Sequence, residues 1–160
     1  MSMLQFSEAY YLNNNPDVLQ AVLSGDFPSG LAHYNQYGWS EGRDPNPYFD
    51  TSYYLQNNGD VLQAIIGGDF SSPLQHFLMF GSVEGRAPSA ELAPLVAAFD
   101  EAAYRAANPD VDAAIDAGDF QSAMQHWLLY GQFENRPGVP FVGQDFTLTT
   151  GTDNYTGGEG

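Results

Sequence analysis

Three histidines and three arginines recur at fixed places along this chain, and chemistry would call on these residue types first. His33, His76 and His126 are its only histidines. Arg43, Arg86 and Arg136 are three of its four basic side chains, and there is no lysine. Imidazoles hold transition metals where several groups converge. These three stand one per copy of a long repeat, too far apart to share an ion unless the array stacks tightly, so each would need its own Asp or Glu ligands. The expectation for each is a packed ring, resting on the aromatic four residues on (Tyr37, Phe80 or Tyr130) and hydrogen-bonded to backbone. Each arginine follows a glutamate by two residues: Glu41, Glu84 and Glu134. A guanidinium fork grips a carboxylate bidentately, and Asp17, Asp60 and Asp110 are the expected partners. The competing reading makes His33, His76, His126, Arg43, Arg86 and Arg136 a glycan-binding set, with the arginines facing acidic sugars.

The carboxylates admit fewer readings. Asp26, Asp69 and Asp119 stand in a repeated Gly-Asp-Phe, where they are expected to organise a turn. Calcium takes about six to eight oxygens, and one aspartate per turn is thin. Asp153, near the C-terminus, is the better calcium candidate. No nucleophile–base arrangement, phosphate-binding glycine loop, HExxH or paired-carboxylate pattern is present, and there is no cysteine. An enzyme is not expected.

Those residues sit in a repeat that runs from Phe6 to Arg43, returns from Phe49 to Arg86 and again from Phe99 to Arg136, with no gap inside any copy. Repeats of this length read as helical arrays. Each copy predicts three short helices, nine in all. Ser7, Asp50 and Asp100 are N-caps of the first. Phe6 with Tyr11, Phe49 with Tyr54 and Phe99 with Tyr104 have the spacing of a hydrophobic staple. The second helix is expected at Asn15-Pro16-Asp17, Asn58-Gly59-Asp60 and Asn108-Pro109-Asp110, with asparagine as cap, proline at the first position and aspartate at the positive end of the dipole. Gly25, Gly68 and Gly118 end it in left-handed backbone. Ser29, Ser72 and Ser122 cap the third helix, whose core includes Tyr34, Phe77 and Trp127, and Gly38, Gly81 and Gly131 stop it. Gly42, Gly85 and Asn135 share one position, a signature of positive φ. Between copies two and three, Ser89 is expected to cap a short helix that Pro94 limits.

Composition bounds the partners. The 160 residues are 43% hydrophobic and 14% aromatic, enough for a packed core, and the formal net charge is −16. Such a surface repels a phosphate backbone or an anionic bilayer and favours solubility and divalent cations. The first residues have neither the basic nor the apolar part of a secretory signal, and no apolar run reaches the ~18 residues of a membrane span. After Arg136 the character changes. Residues 137–140 read as a linker, and the alternation from Asp145 to Thr149 predicts a strand among β-turns.

Asn15-Pro16-Asp17-Val18, His33-Tyr34, Tyr37-Gly38 and Glu41-Gly42-Arg43, with their counterparts, resemble a helical repeat of secreted bacterial proteins of S-layer-like and RTX type. The likeness covers residues 6–136. Copy two departs with Gly59 for proline, copy three with Arg105 for leucine and Asn135 for glycine. It implies an extracellular or cell-surface protein exported by type I secretion. The tail, ending Gly157-Gly158-Glu159-Gly160, is similar to the approach to a calcium-binding β-roll. The expected organisation is thus an all-α domain, 1–136, made of three tandem repeats (6–43, 49–86, 99–136), then a linker and β-prone tail, 137–160. The expected function is a non-catalytic anchoring or adhesion module that binds cell-surface polysaccharide, with calcium reserved for the tail or beyond. The alternative is self-assembly into an S-layer or matrix lattice. Leu128 and Leu129, left without a fourth copy, would mark an association surface if nothing in the chain covered them.

Overall fold

The computed structural model describes residues 3–137, and the regular elements among them are helices. Copy one holds α1 (Glu8–Asn14), α2 (Pro16–Leu23) and α3 (Gly30–His33). Copy two holds α4 (Thr51–Asn57), α5 (Gly59–Ile66), α6 (Pro73–His76) and α7 (Ser82–Glu84). The linker carries α8 (Ala93–Ala98), and copy three holds α9 (Glu101–Ala107), α10 (Pro109–Ala117) and α11 (Ala123–Leu129). The strand expected at 145–149 and the calcium candidate Asp153 lie outside the described residues.

The first helix of each copy forms where its cap is. Ser7, Asp50 and Asp100 hold extended backbone and accept from the amides of Tyr10, Tyr53 and Ala103. The ring ahead of each cap meets the tyrosine one turn in, at centroid distances of 5.1, 5.0 and 5.2 Å. These staples fix how the chain enters the helix. Ser29, Ser72 and Ser122 cap the third helix in the same way.

The second helix differs from expectation. Asn15, Asn58 and Asn108 occupy the cap position, yet their side chains make no capping bond. Each side-chain amide turns back and donates to the carbonyl of Tyr11, Tyr54 or Tyr104, at 2.7, 2.7 and 2.8 Å. The asparagine finishes the helix before it, and its free oxygen is left for another partner. Gly25, Gly68 and Gly118 end the second helices at φ near +90°.

A second difference lies at the third helix. In copies one and two it continues through a π-helical turn, Tyr34–Gly38 and Phe77–Gly81. In copy three α11 runs to Leu129, and a 3-10 turn, Gly131–Phe133, follows. The helical run ends at Gly38 in copy one, passes Gly81 into α7 in copy two, and in copy three α11 ends two residues before Gly131. A Cβ on Gly38, Gly81 or Gly131 would lie 2.0, 2.1 or 2.0 Å from the hydroxyl of Tyr11, Tyr54 or Tyr104. They are glycines because a phenol is seated on the backbone.

Around that seat lies the core: Tyr11, Tyr34 and Val18, then Tyr54, Phe77 and Val61, then Tyr104, Trp127 and Val111, all but sealed from solvent. Fully burying one such side chain is worth roughly 1.5–3 kcal/mol. Copies one and two each close on themselves. The Ser7 amide donates to the Pro45 carbonyl and the Asp50 amide to the Pro88 carbonyl, both at 3.0 Å.

The two seams between copies differ. At the first, Thr51 is fully buried. Its hydroxyl donates to the Arg43 carbonyl (2.9 Å) and meets the Tyr34 hydroxyl (2.9 Å), and its amide donates to Asp44 (2.9 Å). Asn46 holds the Leu4 and Gln5 carbonyls at 2.9 Å each. At the second seam, α7 packs on α11, and the buried Ser82 hydroxyl has no hydrogen-bond partner among the described residues. Pro94 does not limit the linker helix but sits in its first turn, where a missing N–H is no loss. Leu128 and Leu129 are buried within the single chain. The Tyr48 ring, from the first linker, touches Phe133 at the end of copy three with centroids 4.9 Å apart.

Candidate functional site

The glycine or asparagine before each recurring arginine sets its aim. Gly42, Gly85 and Asn135 have φ of 76, 73 and 54°, backbone that a β-branched residue would resist. The chain therefore turns back and sends the guanidinium to the start of the second helix. Arg43 Nη1 and Nη2 donate to both oxygens of Asp17 at 2.9 and 2.8 Å, and Nε donates to Glu41 at 2.7 Å. Nη1 also reaches the Asn15 oxygen at 2.8 Å, the oxygen that capping would have used. Arg86 repeats this set on Asp60, Glu84 and Asn58. Arg136 repeats it on Asp110, Glu134 and Asn108.

The pairs lie at the surface. The arginine side chains keep 23–24% of their exposure, and Asp17, Asp60 and Asp110 keep 63–64%. The hydrogen bonds from Arg43 hold the Asp17 carboxyl down at about 2, and Asp60 and Asp110 shift the same way for the same reason. Solvent screens such pairs strongly, so the clamps contribute far less than buried ion pairs would. Every nitrogen of these forks that is described already faces a carboxylate or an amide oxygen.

The histidines lie inward, 5–7% exposed. Their partner is a tyrosine rather than backbone. Tyr11 Oη and His33 Nδ1 are 3.0 Å apart, and the counterparts Tyr54–His76 and Tyr104–His126 are at 2.9 and 3.1 Å. Burial lowers the pKa of all three imidazoles and pushes the Tyr11 and Tyr104 phenols up to about 12, so neutral partners share each bond. Each imidazole also buttresses the aromatic ring four residues on. His33–Tyr37, His76–Phe80 and His126–Tyr130 centroids are all 6.0 Å apart. Phe27, Phe70 and Phe120 close the other side edge-on.

What these supports hold up is partly outside. Tyr37 is 46% exposed and Phe80 45%, at the same repeat position, while Tyr130 is half-buried. They are the accessible rings the repeat presents, held from two sides.

Other site residues escaped the sequence. Glu8 bonds the Gly30 and Leu31 amides at the start of α3, and Glu101 bonds the Ala123 and Met124 amides at the start of α11. A carboxylate after the cap in copies one and three, and Thr51 in copy two, is the only trace of this in the sequence. Arg105 is not an idle fourth cation. Its Nε pairs with Asp112, and its Nη2 with Asp116 at 2.9 Å. Asp26 accepts from the Ser24 hydroxyl at 3.1 Å, within its turn. Asp44, Asp50 and Glu91 line a cleft of about 360 Å³ between the two linkers, with Tyr48 and Ser89. Among the described residues no three His, Asp or Glu side chains converge as a metal site, and no helix is long and apolar enough to cross a membrane. No protein-family model, curated protein or solved structure matches the chain.

Proposed function

We propose that residues 6–136 are a tandem array of three helical repeats that binds neutral polysaccharide at a cell surface, without catalysis, as part of a secreted bacterial protein. The observation that carries the reading is the pair of exposed, doubly buttressed rings, Tyr37 and Phe80. A rigid ring gives a sugar a flat apolar face at little cost in side-chain entropy. Two rings on successive repeats let weak contacts add along one polymer. In this reading His33, His76 and His126 position rings, and Arg43, Arg86 and Arg136 position turns, rather than touching glycan themselves. The net charge of −16 favours a neutral or amino sugar over an acidic one. Calcium is assigned to the C-terminal tail through Asp153, and export by type I secretion follows from the resemblance of the repeat.

Self-assembly into a lattice is the competing class. The surface expected to carry it, Leu128 and Leu129, is buried within one chain. The test is co-sedimentation with polysaccharide purified from the surface of the producing cells. The wild type should pellet with it, and Tyr37→Ser/Phe80→Ser should bind about tenfold more weakly, a loss of about 1.4 kcal/mol. Unchanged binding by the double variant would end the ring proposal. A concentration-dependent oligomer that ignores polysaccharide would favour assembly.

A further inference from the structure

The outer edge of the first two helices carries apolar side chains in two copies and an ion network in the third. Leu12, Leu19 and Leu23 in copy one correspond to Leu55, Leu62 and Ile66 in copy two, and to Arg105, Asp112 and Asp116 in copy three. Arg105 reaches both aspartates, so these three positions are neighbours in space. The helix pairs have the same bend in all copies: φ and ψ are −135° and 75° at Asn15, −141° and 69° at Asn58, and −132° and 76° at Asn108. The leucines therefore cluster as the charged residues do. The first two of each cluster are half-buried, and the third is exposed: Leu23 by 71% and Ile66 by 68%.

Copy three shows that the helix pair folds with charges at these places. Leu12 and Leu55 also pack against the core, but folding does not call for an apolar residue at the exposed third place, Leu23 or Ile66, which points outside the repeat. The occupant follows from charge. All four arginines are spent on internal carboxylates, and the chain has no lysine. A second copy would bring −16 to meet −16, and an anionic membrane is repelled likewise. A partner that covers Leu23 and Ile66 must bring its own cations beside its apolar groups.

We infer that the apolar edges of copies one and two are docking sites for an amphipathic, lysine- or arginine-bearing segment of another protein, and that copy three has been closed to it by Arg105, Asp112 and Asp116. This stands apart from the polysaccharide reading, which uses Tyr37 and Phe80 on the third helix.

The test uses the full chain and two synthetic 18-residue peptides, one of leucine and lysine in amphipathic helical order, the other of serine and lysine with the same charge. Titration calorimetry at 0.15 M and 0.5 M salt should show the leucine peptide binding at least tenfold more tightly, with most of the difference kept at high salt. Leu23→Asp/Ile66→Asp, which writes copy-three residues into copies one and two, should abolish that difference. The variant adds two negative charges, so attraction by charge alone would leave binding equal or tighter, and that result overturns the inference. Leu23→Ser/Ile66→Ser is the second variant, used if circular dichroism shows the aspartate form unfolded. A wild-type dimer in sedimentation that either variant dissolves would also overturn it, assigning the edges to a second copy.

Discussion

Inside the repeats, Tyr11, Tyr54 and Tyr104 each lay a hydroxyl on a glycine and against a histidine with near-identical geometry. At the seams nothing recurs. Thr51 ties copy one to copy two through three hydrogen bonds, while α7, which meets α11, carries a buried Ser82 hydroxyl with no partner among the described residues. The linkers explain why. Five residues join the first pair, from Asp44 to Tyr48, and a whole helix, α8, is inserted in the second. The interior is specified by residues that must fit each other within one copy. The seams are specified by how far the chain lets neighbours approach, so each must find its own contacts.

The sharpest way to break this contrast is to fill a phenol seat. Gly81→Ala puts a Cβ 2.1 Å from the Tyr54 hydroxyl and 3.2 Å from the Phe77 ring, both fully buried side chains with little room to move. The expected loss is about 3 kcal/mol. Gly85→Ala, four residues on, meets only the Met124 side chain at an ordinary contact distance of 3.8 Å, and at φ 73° should lose about 1 kcal/mol from backbone strain. Urea midpoints rank the two. Equal losses would mean the tyrosine moves aside, and the interior is softer than its geometry implies.

Acid tests the interior from another side. The folded chain depresses the pKa of His33, His76 and His126 by burial, so the unfolded chain takes up their protons first. The stability they protect is whole above the ordinary histidine value of about 6.5 and is lost as pH falls below it. Each contributes at most about 1.4 kcal/mol per pH unit. The urea midpoint should fall between pH 7.5 and 5.5, and His76→Gln should fall less. A midpoint that is level across that range would remove the histidines from the interior account. The Asp17 clamp acts lower: with its carboxyl held at about 2, its share is lost only as pH drops from the ordinary aspartate value of about 3.8 toward that point.

The smallest effect belongs to the second seam. Ser82→Ala deletes a hydroxyl that bonds nothing among the described residues, and the expected change is within about 0.5 kcal/mol, toward greater stability if anything. A loss above 1 kcal/mol would show that the seam uses this hydroxyl after all.

The sequence made the caps, staples and left-handed turns legible because each is a local rule. Ser7 caps whatever follows it, and φ above zero at Gly42, Gly85 and Asn135 could be read from residue types alone. It made the arginine partners legible because one charge type was scarce. It did not reveal that Asn15 turns backward, since a cap and a return bond use the same residue at the same place. The phenol seats at Gly38, Gly81 and Gly131 were hidden for a similar reason: a helix stop and a close contact both demand glycine, and only the third dimension separates them. The partners of Arg105 were not legible because they sit on the following helix, at positions that are apolar in the other copies. The seams were hidden altogether, since linker length says how far neighbours can move and not what they touch.

The amide-to-carbonyl bonds that close residues 7–45 and 50–88 have a kinetic consequence. Each confines its interior contacts to a short contour of chain, whereas the Tyr48–Phe133 contact must wait for the full length between those rings to come together. Closing the longer path costs more entropy before its ring contact can form. Order in time should therefore follow order in space. Copies one and two mature as separate cooperative units, and the ring contact forms last and opens first. In native-state hydrogen exchange, amides of α7 and α8 should open at lower free energy than those beneath Tyr54.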